Sequence, residues 1–300
     1  MESETQSAGA PAAADPAEPD TPEPDSVAPE APAAPAKKKD GIWDTVRFLL
    51  FVFIAAVVLR TLIVAPFSIP SGSMLPRLMI GDYIFVAKWP YGYSRFSMPF
   101  GIGGFDGRFF AGVPDRGDVV VFRDPGPDNE DIVKRVIGLP GDTVQVTRGE
   151  VILNGQRLQR HRIADYLMPV SPNSPCRRVG PEARAASGDG GEAMCAYPRF
   201  RETLPEGSGY DVLDQIADGP ADNTPVFRVP EGHVFVMGDN RDDSLDSRFS
   251  LDQGGVGMVP IERILGRAMI TFFSTDGSAQ WLLPWTWFSA ARWSRIGTTG

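Results

Sequence analysis

Three hundred residues leave room for one large domain or two modest ones, with ample chain to bury a core. The formal charge of -9 is concentrated at one end: residues 1–36 hold eight acids and no Lys or Arg, which leaves 30 acids against 29 bases elsewhere. The remainder is nearly neutral and has no basic stripe or aromatic-interleaved basic patch, which argues against nucleic acid as a partner.

Residues 1–40 are Pro-, Ala- and acid-rich, with no aromatic residue before Trp43. Such a segment buries too little apolar surface to offset the entropy of ordering, so it reads as a disordered cytoplasmic tail. Lys37, Lys38 and Lys39 follow, then an apolar run from Phe48 to Phe67 broken only by Arg60. Twenty residues suffice to span a bilayer, and Arg60 can snorkel toward the headgroups. A buried core helix is the alternative, but Phe48–Leu59 is apolar all round and lacks the polar face such a helix shows. Residues 42–66 are therefore read as one transmembrane anchor. Lys37–Lys39 and Arg47 precede it, so the N-terminus stays cytoplasmic and the rest crosses. In a bacterium this makes a single-pass inner-membrane protein with a periplasmic or extracytoplasmic domain.

Beyond the anchor, Gly81–Lys88, Gly117–Phe122, Ile132–Ile137, Thr143–Val146, Val151–Leu153, His233–Met237 and Met269–Phe273 read as short strands. No helical period of similar strength lies among them. The predicted fold is mostly β: a catalytic β domain of 67–154 and 229–280, with a subdomain inserted at 155–228. The insertion is rich in Pro, Gly and Arg and holds Cys176 and Cys195. Two thiols in a cytosolic protein would be unrelated. In the oxidising compartment implied by the topology, a disulfide closing a loop of about twenty residues contributes on the order of 3 kcal/mol. Residues 281–300 form an aromatic and basic end with Trp281, Trp285, Trp287, Phe288, Arg292, Trp293 and Arg295. Two readings stay open for it: docking on the bilayer interface, or packing on the core.

Chemistry by histidine is poorly supported. The chain has His161 and His233 only, neither in a catalytic context, and no G-x-S-x-G elbow. No His/Cys spacing suggests a metal, and Asp239-Asn240-Arg241-Asp242-Asp243 lacks the glycine and ligand pattern of a calcium loop, so it reads as a charged turn. No metal or cofactor is expected. Lysine remains. Ile132-Val133-Lys134-Arg135-Val136-Ile137 is an apolar strand with two successive cations on opposite faces. If the strand packs on both sides, Lys134 is desolvated, and a shift of about three units, roughly 4 kcal/mol, leaves a neutral amine near pH 7. If the strand lies at an edge, both heads are simply solvated. Phe67-Ser68-Ile69-Pro70-Ser71-Gly72-Ser73-Met74-Leu75-Pro76 forms a tight turn with two hydroxyls, at most roughly 20 Å of chain past the span.

These segments together resemble the bacterial type I signal peptidases, the leader peptidases with a serine/lysine dyad. The resemblance runs through Ile69-Pro70-Ser71-Gly72-Ser73-Met74, Gly81-Asp82-Tyr83-Ile84-Phe85-Val86 and Arg116-Gly117-Asp118-Val119-Val120-Val121-Phe122. It continues in Lys134-Arg135-Val136-Ile137-Gly138-Leu139-Pro140-Gly141-Asp142 and Gly238-Asp239-Asn240-Arg241-Asp242-Asp243-Ser244-Leu245-Asp246-Ser247-Arg248. It implies Ser73 as nucleophile and Lys134 as general base. The Ser73 N–H and Ser71 hydroxyl then form the oxyanion hole, Ser244 orients the lysine, and Asp246 with Arg248 supports the site. Phe67, Ile69, Met74, Leu78, Ile84 and Val133 fall where the family lines shallow apolar subsites for small-x-small cleavage sites. The implied partners are preprotein signal peptides, membrane lipids and the secretion translocon. A single anchor and the acidic tail depart from some members. A different class of function, an inactive membrane-tethered β-domain that binds signal peptides, gains nothing from a buried lysine.

Overall fold

The structure is a computed structural model describing residues 41–97, 107–127, 129–280 and 282–297. The acidic tail and Trp281 lie outside the described residues. The chain divides into two compact units, Met1–Val46 and Arg47–Gly300, and every strand belongs to the second.

Helix α1 runs Ile42–Val58 and is followed by a π turn, Leu59–Ile63. The chain is already extended at Val64, so the helical part ends short of the predicted boundary at residue 66. Pro66 drives the residue before it toward extended backbone and cannot donate to a ladder. The segment Val64–Ser68 accordingly becomes an edge strand. Among the described residues, no helix is long and apolar enough to cross a membrane.

The described strands begin with β1 (Val64–Ser68), β2 (Asp82–Ala87), β3 (Tyr93–Ser94), β4 (Arg108–Phe109), β5 (Val119–Arg123), β6 (Asp131–Gly138), β7 (Thr143–Thr147), β8 (Glu150–Leu153) and β9 (Gln156–Arg157). They continue with β10 (Gln159–Pro169), β11 (Arg184–Ser187), β12 (Ala193–Thr203), β13 (Gly209–Leu213), β14 (Phe227–Arg228), β15 (His233–Met237), β16 (Val259–Pro260) and β17 (Ile264–Ser274). Each strand expected from the sequence is present. The largest sheet has the order β1-β2-β17-β5-β6-β15-β16 and is antiparallel throughout. In this sheet β6 is an interior strand, paired on one side with β5 and on the other with β15.

A second sheet, β14-β7-β8-β9, packs the cluster of Val144, Val146, Val151 and Leu153 with Phe235 and Met237. The span read as an insertion carries its own antiparallel sheet of β10, β11, β12 and β13. Its core joins Met168, Cys195, Tyr197 and Leu213 to Leu75 and Met79, which follow Ser73 by only a few residues. Cys176 and Cys195 are linked by a disulfide, with Cα atoms 5.3 Å apart.

The C-terminal segment contains α2 (Trp285–Ser289). Its two cations are tied to the domain: Arg292 donates to the Ile80 carbonyl at 2.9 Å and to Ser171 Oγ at 2.7 Å, and Arg295 pairs with buried Asp82 at 2.6 Å. Trp285, Phe288 and Trp293 remain exposed. The segment is thus packed on the domain through its arginines, with these rings exposed.

Candidate active site

The chain leaving β1 turns through Ser71–Arg77. Met74 and Leu75 are buried in two different clusters, which pins Ser73 between them. The Ser73 carbonyl accepts from the Asn240 N–H at 3.0 Å, and the Gly72 carbonyl accepts from Leu75 N–H at 3.1 Å. The Ser73 N–H itself donates to no group among the described residues.

Because β6 is interior, both of its cations are buried. Only one has a counter-ion. Arg135 meets Asp239 through two hydrogen bonds of 2.8 and 2.6 Å, donates to the Gly117 carbonyl at 2.7 Å, and lies 4.4 Å from the Tyr210 ring centroid. Met237 pairs with Arg135 in register, so the chain leaving β15 delivers Asp239 to it two residues later. Lys134 has no carboxylate at ion-pair distance among the described residues. Its Nζ lies 2.8 Å from Ser73 Oγ and donates to the Val133 carbonyl at 3.2 Å. Burial drives the Lys134 amine down to about 8, against the pull of Asp246, Asp239 and Asp243, with Arg248 adding to the fall.

Asp246 organises the rest. It is fully buried and accepts from Gly238 N–H at 3.0 Å, Ser244 Oγ at 2.8 Å, and Arg248 Nε and Nη2 at 2.8 and 2.9 Å. Burial opposes ionisation, but the Arg248 guanidinium and these donors together hold the carboxyl below its usual range. Ser244 differs from expectation: its hydroxyl proton goes to Asp246, and no Lys134–Ser244 hydrogen bond forms. The carboxylate two residues on is the stronger acceptor, and so it takes the hydroxyl. Ser71 Oγ sits 3.4 Å from Ser73 Oγ, near enough to line the same space.

A cleft of about 590 Å³ opens over Ser73 and Lys134. Ile69, Met74 and Val133 line one side of it, with Met168, Pro175 and Tyr197 from the insertion also present. Leu78 and Ile84, expected as subsite residues, are fully buried in the cluster behind Ile69 and Met74, and Phe67 packs on that cluster without lining the cleft. Alternation along β2 turns Ile84 inward, into that cluster and away from the cleft. His161 and His233 do not line the cleft.

Sequence reasoning overlooked Gly238 and Asn240. A Cβ on Gly238 would fall 2.3 Å from Ser244 Oγ and 2.7 Å from the Ser73 carbonyl oxygen, so only glycine fits where these two loops cross. Gly238→Ala is expected to destabilise the chain by about 1–3 kcal/mol, the usual cost of overpacking. A melting temperature equal to that of the unsubstituted chain would contradict this.

The family described as signal peptidase, peptidase S26, matches residues 42–273. The signal peptidase I of Rickettsia typhi is 39% identical over 233 residues, covering 75% of this chain and 78% of the relative. That of Rickettsia conorii is 38% identical over 233 residues, covering 75% and 77%. A crystal structure of a signal peptidase I from Enterococcus faecalis aligns over 52% of this chain and 97% of that one, at 24% identity and a TM-score of 0.27. The chain belongs to the signal peptidase family, peptidase S26, and is a peptidase of that family.

Proposed function

We propose that this chain is a membrane-tethered serine endopeptidase that removes N-terminal signal peptides from exported preproteins. The observation that carries the reading is the 2.8 Å contact between Ser73 Oγ and a buried Lys134 amine that has no carboxylate at ion-pair distance among the described residues. In its neutral form Lys134 takes the Ser73 proton as Oγ attacks the scissile carbonyl. The oxyanion that forms faces the Ser73 N–H and the Ser71 hydroxyl. Lys134 then gives its proton to the leaving amine, and the mature chain departs from an acyl-enzyme. A water, deprotonated by Lys134, attacks the ester carbon, and the proton returns to Ser73 as the signal peptide leaves. Ile69, Met74 and Val133 make the walls beside Ser73 apolar and shallow, which suits small side chains before the cut. Ser73→Ala should leave a preprotein uncut while the protein stays folded; continued processing would refute the nucleophile assignment.

The 17 residues of α1 and the 5 of the π turn, 22 together, form the anchor in this reading, with the cationic flank cytoplasmic and the β domain on the far side. Residues 67–154 and 229–280 are the catalytic domain and 155–228 its insertion. The outward rings of Trp285, Phe288 and Trp293 rest at the lipid interface, where aromatic side chains are favoured. Replacing Trp285, Trp287 and Trp293 by serine should speed amide hydrogen exchange of residues 282–297 in proteoliposomes of the full chain, where the anchor keeps it bilayer-bound, without lowering its melting temperature. Exchange unchanged by the substitutions would exclude the docking role.

A further inference from the structure

The inserted sheet reaches the nucleophile turn through a chain of amides. Gln215, just past β13, is fully buried. Its Oε1 accepts from the Val179 N–H at 3.3 Å, and its Nε2 donates to Asn240 Oδ1 at 2.9 Å. Asn240 Nδ2 in turn donates to the Gly72 carbonyl at 3.1 Å. The backbone around Gln215 is fixed as well: Asp242 Oδ2 accepts from the N–H groups of Gln215 and Ile216 at 2.5 and 3.0 Å.

This chain has one direction. The Val179 backbone N–H can only donate, so the Gln215 atom facing it is the oxygen. Its amide nitrogen must then face Asn240, which places the Asn240 oxygen toward Gln215 and the Asn240 nitrogen toward Gly72. The carbonyl of Gly72 and the N–H of Ser73 belong to one planar trans peptide and point to opposite sides of it. A donor fixed on that carbonyl therefore fixes the direction of the Ser73 N–H. The Leu75 N–H shares the same carbonyl and closes the turn, but it moves with the turn. Asn240 comes from the separate loop after β15, and Gly72 lets the peptide rotate unless something outside the turn holds it. Donation to the carbonyl also polarises the peptide and strengthens its N–H as a donor.

We infer that Gln215 of the insertion, acting through Asn240, is a positioning residue for the Ser73 N–H as oxyanion donor. The inference rests on the serine-peptidase reading above. It gives the insertion a part in the reaction as well as a place in the cleft wall.

The test compares Gln215→Met, Asn240→Leu and the double variant in the full-length chain, each normalised by active-site titration. Loss of one oxyanion donor costs about 10²- to 10³-fold in rate; loss of its alignment is expected to cost about 10²-fold in Asn240→Leu and about tenfold in Gln215→Met. The loss should fall on kcat with KM retained. Affinity for a peptide aldehyde, whose hemiacetal needs the same donor, should fall by the same factor. The double variant should lose no more than Asn240→Leu, because both act on one peptide. The pH at which activity rises should stay at the wild-type value, since Lys134 is untouched. Multiplicative losses, unchanged aldehyde affinity, or failure of both single variants to fold would overturn the proposal and leave these residues a role in stability alone. An active Ser73→Ala would instead sink the reading on which it rests, whereas an inactive Ser73→Ala beside a fully active Gln215→Met would sink only the inference.

Discussion

Lys134→Arg is expected to abolish preprotein cleavage, with a loss of about 10³-fold or more, and to leave the fold intact. General-base catalysis contributes about 10²- to 10⁴-fold, and arginine stays protonated at any working pH. The substitution keeps the charge and much of the reach, so it isolates proton transfer from electrostatics. Lys134→Met should be equally inactive but more stable at neutral pH. The Lys134 amine falls from 10.5 in the unfolded chain to about 8 in the fold. Between those values the unfolded chain binds a proton that the folded one does not, so stability rises with pH across that window. Below about 8 the full penalty applies, at most about 3.5 kcal/mol by the conversion of roughly 1.4 kcal/mol per unit. Methionine removes the penalty, and its melting temperature should exceed wild type at pH 6–7 and converge with it above pH 10. A melting temperature below wild type at pH 6–7 would mean that Lys134 is not held at a cost.

Asp246→Asn is expected to destabilise the chain by about 3–5 kcal/mol, because it leaves a buried guanidinium without its counter-charge. Arg248 donates to both Asp246 oxygens and to the Arg241 carbonyl, and its side chain is 1% exposed. The same change frees the Ser244 hydroxyl and weakens the hold on Gly238. Asp246 is also the strongest of the charges that sustain the Lys134 ammonium, so its removal should move the rise of activity with pH to lower pH. Because the Asp246 carboxyl is held low in the fold, its contribution is present above the ordinary aspartate range and fades as pH falls through the folded value. Chemical denaturation and a pH–rate profile of the variant read the two effects separately. Wild-type values for both would remove Asp246 from the site's support.

Much of the main sheet was legible because its strands carry apolar runs closed by glycine or proline, as in Gly117–Phe122 and His233–Met237. Ser73 and Lys134 were legible as candidates, but the alternation that put Lys134 on one face of its strand could not say whether that strand was interior. Only the pairing of β6 with both β5 and β15 decides it. The helical backbone ends at Ile63, short of residue 66, because Pro66 imposes extended backbone although Val64 and Ala65 continue the apolar pattern. The Ser244 hydroxyl donates to Asp246, a contact between two residues of one loop that spacing alone does not encode. The amide chain from Val179 to Gly72 joins residues far apart in sequence, and no periodicity announces such contacts. The paired cations of Lys134-Arg135 did carry one unread signal: an arginine in an apolar interior strand requires a buried carboxylate, which Asp239 supplies.

Burial lowers the Lys134 amine beside Ser73 to about 8, so that its neutral form is populated near that pH and takes the Ser73 proton. The most direct measurement is a titration of the Lys134 side chain by NMR, using selectively labelled lysine in the full-length protein and Lys134→Met to assign the signal. A midpoint near 8, matched by the rise of cleavage with pH, is the expected result. A Lys134 resonance that stays protonated beyond pH 10 would contradict the account.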